Sequence, residues 1–258
     1  MGRVSDTWAA VGRSPGANKV ISIRHNDQAI PADVLAVIGK DKRPHSDFFF
    51  IDADGNLVGH FTIGGGTKAD PAYAQAVANF ASGYDTAKAG FDEWEKATTT
   101  TAKAAALAKI GAAPTSKGKT LLTEYATKTD NPEAIRKAAV KGLGKQQGVT
   151  STLADLLTDK SAAVRAAATQ ELKTLGIREM MPLVGMLEAK EAETRVAAAN
   201  VLKLVIPNAA LTRSPDFWKN GKEKDRQAAA NKLSDHVLDV NAAALGGVRA
   251  APAVPPKK

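Results

Sequence analysis

The sequence predicts a multidomain chain, an α/β part followed by an all-α array of stacked helical repeats, and three observations carry that reading. First, Arg136, Arg165, Arg195 and Arg226 follow one another at intervals of 29, 30 and 31 residues, and each opens an alanine-rich stretch with a leucine seven residues on (Leu143, Leu172, Leu202, Leu233). A fixed period of this length marks a repeat architecture in which each unit hides its apolar face only against its neighbours. Second, residues 20–23 and 48–51 are short apolar runs of strand length and composition. Third, charge divides the chain: residues 1–95 hold nine Lys and Arg against twelve Asp and Glu, whereas residues 96–258 hold 26 against 15.

In the N-terminal part, residues 20–23 (Val-Ile-Ser-Ile) and 48–51 (Phe-Phe-Phe-Ile) have strand composition, and residues 31–38 predict a short helix between them. The segment Asp52-Ala53-Asp54-Gly55-Asn56 joins the second run to Leu57–Ile63. Its Asp, Gly and Asn supply the backbone conformations of a tight connection, so the pair reads as a β-hairpin. After Gly64-Gly65-Gly66, a helix is expected from Pro71, because Tyr73, Val77, Phe80 and Tyr84 recur on one helical face. Proline suits its first turn, where a missing N–H costs nothing.

This strand–helix–hairpin–helix order, with Phe49-Phe50-Ile51-Asp52-Ala53-Asp54-Gly55-Asn56-Leu57-Val58-Gly59 at its hairpin, resembles the C-terminal half of a thioredoxin-like domain over residues 18–88. The resemblance implies a sheet closed by the last helix. It is incomplete in two respects. The chain has no cysteine, so the family's Cys-x-x-Cys has no counterpart, and Pro44 stands two residues further from the hairpin aspartate than the family's cis-proline does. The expectation is an N-terminally truncated or non-redox version, since thiol–disulfide chemistry requires a thiolate.

Other chemistry is poorly supported. Asp52-x-Asp54-Gly55-Asn56 hints at a calcium loop, but Gly55 is fourth and Ile63 takes the twelfth position, where a bidentate Glu belongs. Gly64-Gly65-Gly66-Thr67-Lys68 lacks the spacing of a phosphate loop. Of the four histidines, His45 with Asp47 and His60 forms the one combination that suggests a metal, and surface polar residues are the simpler reading; His25 and His236 are isolated. No catalytic residues, no metal and no cofactor are expected.

Residues 96–119 nearly lack large apolar side chains. Residues 102–110 are alanine-rich enough for a helix, and Gly111 to Gly118, with Pro114, reads as a linker. The expected domains are therefore 1–95 (α/β), 96–119 (helix and linker), 120–240 (repeats) and a disordered Pro/Lys tail at 241–258, which is too poor in apolar residues to fold.

Each repeat reads as a helical hairpin. In the second, residues 152–157 form a first helix, residues 158–161 a turn and residues 162–175 a second helix; the third repeats this with Met181–Leu187 and Val196–Val205. Asp130-Asn131-Pro132 predicts an N-cap and a first-turn proline for the first arginine helix. The pattern Asp-x5-Arg (Asp130/Arg136, Asp159/Arg165), then Ala-Ala, a Leu and often a Gly (Gly144, Gly176), resembles HEAT repeats of the short phycobilisome-lyase type over residues 120–205. The fold class is thus a partial thioredoxin-like αβ domain followed by an α-solenoid of HEAT-like repeats. Departures fall at the ends: the leading helix Leu121–Thr127 is weak, Ala189 replaces the third Asp, and Pro215, Phe217 and Trp218 mark the fourth unit as a degenerate cap. The resemblance implies that Arg136, Arg165, Arg195 and Arg226, with Asp130 and Asp159, form a structural ladder; the alternative is a row of charges read by an acidic ligand.

A solenoid presents surfaces rather than buried pockets. The expected function is a non-enzymatic scaffold that binds another protein. Nucleic acid is the second candidate partner, given the net charge of +11 over residues 96–258, although the aromatics beyond residue 95 are only Tyr125, Phe217 and Trp218. A redox remnant truncated at its N-terminus is the third reading. No apolar run is long enough to span a membrane. With no signal-like segment at Met1, the expected location is cytoplasmic, or extracytoplasmic if an upstream start adds a signal peptide.

Overall fold

Short side chains decide how the helices of this chain meet. The computed structural model describes residues 47–51, 57–62 and 71–244. The chain divides into two units, Met1–Gln147 and Gly148–Lys258.

In the first unit, β1 (Asp47–Ile51) and β2 (Leu57–Thr62) pair antiparallel, with Phe49 opposite His60 and an irregularity between Phe50 and Ile51. The expected hairpin is therefore formed. The expected strand at 20–23, the helix at 31–38, the turn residues 52–56 and Pro44 lie outside the described residues, as does the 245–258 part of the tail. A hairpin alone does not define a thioredoxin-like domain.

Helix α1 (Pro71–Lys96) starts at the expected proline and runs well past Tyr84. It packs on α2 (Thr100–Ile110), which is capped by Thr99 accepting from the Ala102 N–H. Next come α3 (Ser116–Thr127), capped by Thr115, and α4 (Glu133–Leu143). Helix α4 packs on both α2 and α3. Pro132 takes the N-cap position of α4 and not a place in its first turn, and no side chain caps it. Its carbonyl instead accepts from the N–H groups of Ile135 and Arg136, while the Asn131 amide turns back to the Tyr125 carbonyl.

Helix α2 covers the expected helix at 102–110, and the expected linker at 111–118 is packed structure. Ala106, Leu107, Ile110 and Ala113 are buried across the two. The turn is clasped by Gln146, whose Oε1 accepts from the Thr115 N–H at 3.0 Å and whose Nε2 donates to the Ala113 carbonyl at 3.0 Å. Alanine and glycine here allow close approach instead of flexibility. A Cβ on Gly111 would lie 2.3 Å from the Gly142 Cα, so the backbones of α4 and the end of α2 touch where neither residue has a side chain.

Superposing the helix starts exposes a further copy of the repeat. Arg136, Arg165, Arg195 and Arg226 are each the fourth residue of their helices, and in α2 that place belongs to Lys103. Seven residues on stands Ile110, with Ala104, Ala105 and Ala106 after the lysine. Helices α1 and α2 thus form a helical hairpin ahead of the first arginine repeat.

In the second unit, α5 (Thr150–Asp155) continues as a 3-10 turn, Leu156–Thr158, and is followed by α6 (Ala162–Leu175). A second 3-10 turn, Ile177–Glu179, leads into α7 (Met181–Met186) and α8 (Ala192–Val205). The two hairpins match the expected spans within a few residues. They stack through α5 on α7 and α6 on α8, around Leu153, Leu156, Val164, Leu172, Leu183, Ala198 and Leu202. Short helices α9 (Ala209–Thr212) and α10 (Pro215–Asn220) follow, then α11 (Glu223–Ala244), which packs on α7 and α9. Trp218 is fully buried, and its indole N–H donates to the Thr212 carbonyl at 2.8 Å. The residues marking a degenerate unit therefore build a core of their own. Successive stacked hairpins within each unit are consistent with an all-α solenoid.

Two glycine substitutions should have opposite signs. Gly111→Ala forces backbone apart and is expected to cost about 2 kcal/mol, in the range of core overpacking. Gly185, in α7, has nothing within 4 Å of an added Cβ. Gly185→Ala is therefore expected to stabilise by roughly 0.5–1 kcal/mol through helix propensity. Urea unfolding midpoints read both.

Candidate functional site

A side chain at the fourth position of a helix leans back over the first turn, because each Cα–Cβ bond tilts toward the N-terminus. From there a guanidinium reaches the chain that enters the helix. Arg165 Nη1 donates to the carbonyls of Asp159 (2.7 Å) and Lys160 (3.2 Å). Arg195 Nη1 makes the same pair of bonds one repeat later, to Ala189 (2.8 Å) and Lys190 (2.6 Å). Arg226 Nη1 bonds the Gly221 carbonyl, and Arg136 Nε bonds the Ala126 carbonyl at 3.1 Å.

Arg195 goes further. Its Nε donates to the Trp218 carbonyl at 2.8 Å and its Nη2 to that of Lys219 at 3.2 Å. Those carbonyls end α10, and Gly221 just beyond is held by Arg226, so two arginines close the same helix end. A cation is favoured at the negative end of a helix, where the last carbonyls lack intrahelical partners. Arg136 and Arg195 are 1% and 5% exposed, Arg226 is half-buried and Arg165 is exposed.

The two aspartates take different places. Asp159 contributes its main-chain carbonyl to Arg165, while its carboxylate accepts from the Ser161 N–H at 2.8 Å, shaping the turn before α6. Asp130 is exposed in the turn before α4. The arginine row thus meets main-chain oxygens, and sequence periodicity alone gave no sign of this choice of acceptor.

Sequence reasoning also missed the basic–aromatic cluster of the first unit. The Lys103 ammonium lies 5.5 Å from the centre of the Trp94 ring, and Trp94 meets Tyr125 edge-on at 4.5 Å. Lys117 stands over Phe91 at 4.7 Å, and Lys109 pairs with Glu93 on the exposed surface. The sequence signal was the i, i+3 spacing of Phe91 and Trp94, hidden because their partners come from two other helices.

Among the described residues, no group of three His, Cys, Asp or Glu side chains is placed to hold a metal ion, and no helix is long and apolar enough to cross a membrane. His45 lies outside the described residues.

A family model of HEAT repeats matches residues 95–173. The similarity therefore begins with the Lys103 helix and runs through α6, covering the segment whose composition resembles a linker. No relative among curated proteins matches the chain.

The burial pattern predicts unequal roles for the arginines. Arg195→Ala leaves four carbonyls without their charged donor and is expected to cost about 3–5 kcal/mol, whereas Arg165→Ala, at the exposed site, is expected to cost about 1 kcal/mol. Arg195→Lys should recover little of the loss, because an ammonium has no planar fork to reach two carbonyl pairs. Thermal and urea unfolding of the three variants tests the order.

Proposed function

We propose that this chain is a non-catalytic interaction scaffold whose HEAT-like helices offer their outward faces to another protein. The observation that carries the reading is the use of the arginine row: its guanidiniums are engaged with main-chain carbonyls inside the fold. The periodic charges thereby serve the scaffold, and the surface left for a partner is the set of helix faces between them. The similarity to HEAT repeats over residues 95–173 supports the same reading, since such repeats commonly mediate protein–protein contacts.

On α6 and α8, which pack side by side, Gln170 and Asn200 occupy the same repeat position, five residues after the arginine, and both are exposed. Lys173 and Lys203 follow three residues later, also exposed, and Leu204 beside Lys203 is 52% exposed. Amide, ammonium and apolar groups at repeat spacing suit a polypeptide partner, which offers all three kinds of complement.

A photo-crosslinking side chain placed at Gln170 or Asn200, in the cells that make the protein, should yield discrete protein adducts that survive nuclease treatment. Adducts that vanish with nuclease would transfer the reading to nucleic acid. A complete absence of adducts from both positions would remove the scaffold role for this face.

A further inference from the structure

Helix α4 and the turn after it carry a row of exposed lysines. Lys137, Lys141 and, in the turn that follows, Lys145 are spaced four residues apart. Lys137 and Lys141 lie about 6 Å apart along the helix axis, on neighbouring positions of one face, and Lys145 follows in the turn. All three are exposed, and none makes a side-chain hydrogen bond or ion pair among the described residues.

Four other lysines of the unit are engaged, whereas the exposed Lys88, Lys96 and Lys128 stand on α1 and at the end of α3 and do not continue the row. Lys103 and Lys117 stand over aromatic rings, Lys109 is paired with Glu93, and Lys119 donates to the Gln147 carbonyl at 2.8 Å. Acids are scarce nearby: residues 100–147 contain nine Lys and Arg against three Asp and Glu, and Glu133 is the single acid of α4. On α2, which packs beside α4, the positions equivalent to the three lysines are Ala104, Ala108 and Ala112. The adjoining ridge is therefore low and uncharged. Like charges four residues apart on a helix repel one another, and on α4 the one acid at matching spacing is Glu133, four residues before Lys137.

We infer that the Lys137–Lys141–Lys145 row docks an acidic segment of a partner protein. This deepens the scaffold reading and rests on it. Spacing favours a polypeptide: glutamates at i, i+4 and i+8 of a helix repeat at the same distance of about 6 Å, and alternate side chains of a strand repeat at about 6.8 Å. Nucleic acid fits less well. Three lysines offer about three phosphate contacts, where duplex binders commonly make about 6–10. The Trp94 and Phe91 rings that would stack on bases are already faced by lysines.

The test uses the full chain and a fluorescein-labelled deca-glutamate peptide, with binding read by fluorescence anisotropy at low salt. The variant with Lys137→Ala, Lys141→Ala and Lys145→Ala should bind about tenfold more weakly, as expected for losing three exposed ion pairs. A control with Lys160→Ala, Lys224→Ala and Lys232→Ala removes the same charge from exposed positions of the second unit. It should stay within about twofold of wild type, since screening confines exposed charges to short range. Unchanged urea midpoints establish that both variants fold. The inference is overturned if the control loses as much affinity, if the wild type does not bind the peptide, or if a DNA oligonucleotide binds more tightly through the same three lysines. Undiminished cross-linking from Gln170 in the triple variant would then leave the scaffold reading standing without the lysine row.

Discussion

Helices this short are mostly ends. Helices α5, α7 and α10 have six residues each, and any helix leaves its last four carbonyls without intrahelical partners. An array of such elements buries its apolar faces only if those oxygens find donors elsewhere. Two of the periodic arginines supply such donors, Arg136 at Ala126 near the end of α3 and Arg195 at Trp218 and Lys219 at the end of α10. Placed at the fourth residue of the second helix of a hairpin, the arginine leans back and holds the carbonyls of the entering turn, as Arg165 and Arg195 do in the same way one repeat apart. A guanidinium suits the task because it is always charged and presents several donors in a fixed fork.

The second constraint is closeness. Alanine at the facing positions and glycine at the Gly111–Gly142 contact bring backbones together where larger side chains would hold them apart. Gln146 then ties the α2–α3 turn with two hydrogen bonds from one amide, making a stretch of Gly, Ala and Pro a fixed part of the unit. With the ends closed and the faces tightly packed, polar side chains remain for the outside. This is why the outward positions that follow each arginine, Lys141, Gln170 and Asn200 among them, are the places where a partner is to be sought.

The same physics explains which residues were legible in advance. Arg136, Arg165, Arg195 and Arg226 announced the helix starts because a solenoid repeats its needs at a fixed interval. Lys103 and Ile110 escaped notice because they satisfy the same positions with different residues, and because the alanines between them lower the local hydrophobicity that marks a core. Trp218 read as a departure from the pattern, yet it fills a core and lends its carbonyl to Arg195. Asp130-Asn131-Pro132 read as an N-cap with a first-turn proline, but Pro132 itself takes the cap position.

By itself, the sequence determined the period, the helical hairpins from residue 120 to 205, and the β-hairpin, since periodicity and turn chemistry are local properties. Only the tertiary structure decided that residues 96–119 belong to a packed helical unit and that the arginines meet main-chain oxygens. It also decided that Lys103 and Lys117 face rings and Lys109 a carboxylate while Lys137, Lys141 and Lys145 stay exposed. The reason is common to all three. A hydrogen-bond acceptor, a ring face or a close backbone contact is supplied by a residue distant in the chain, and no reading of spacing along one helix can place it.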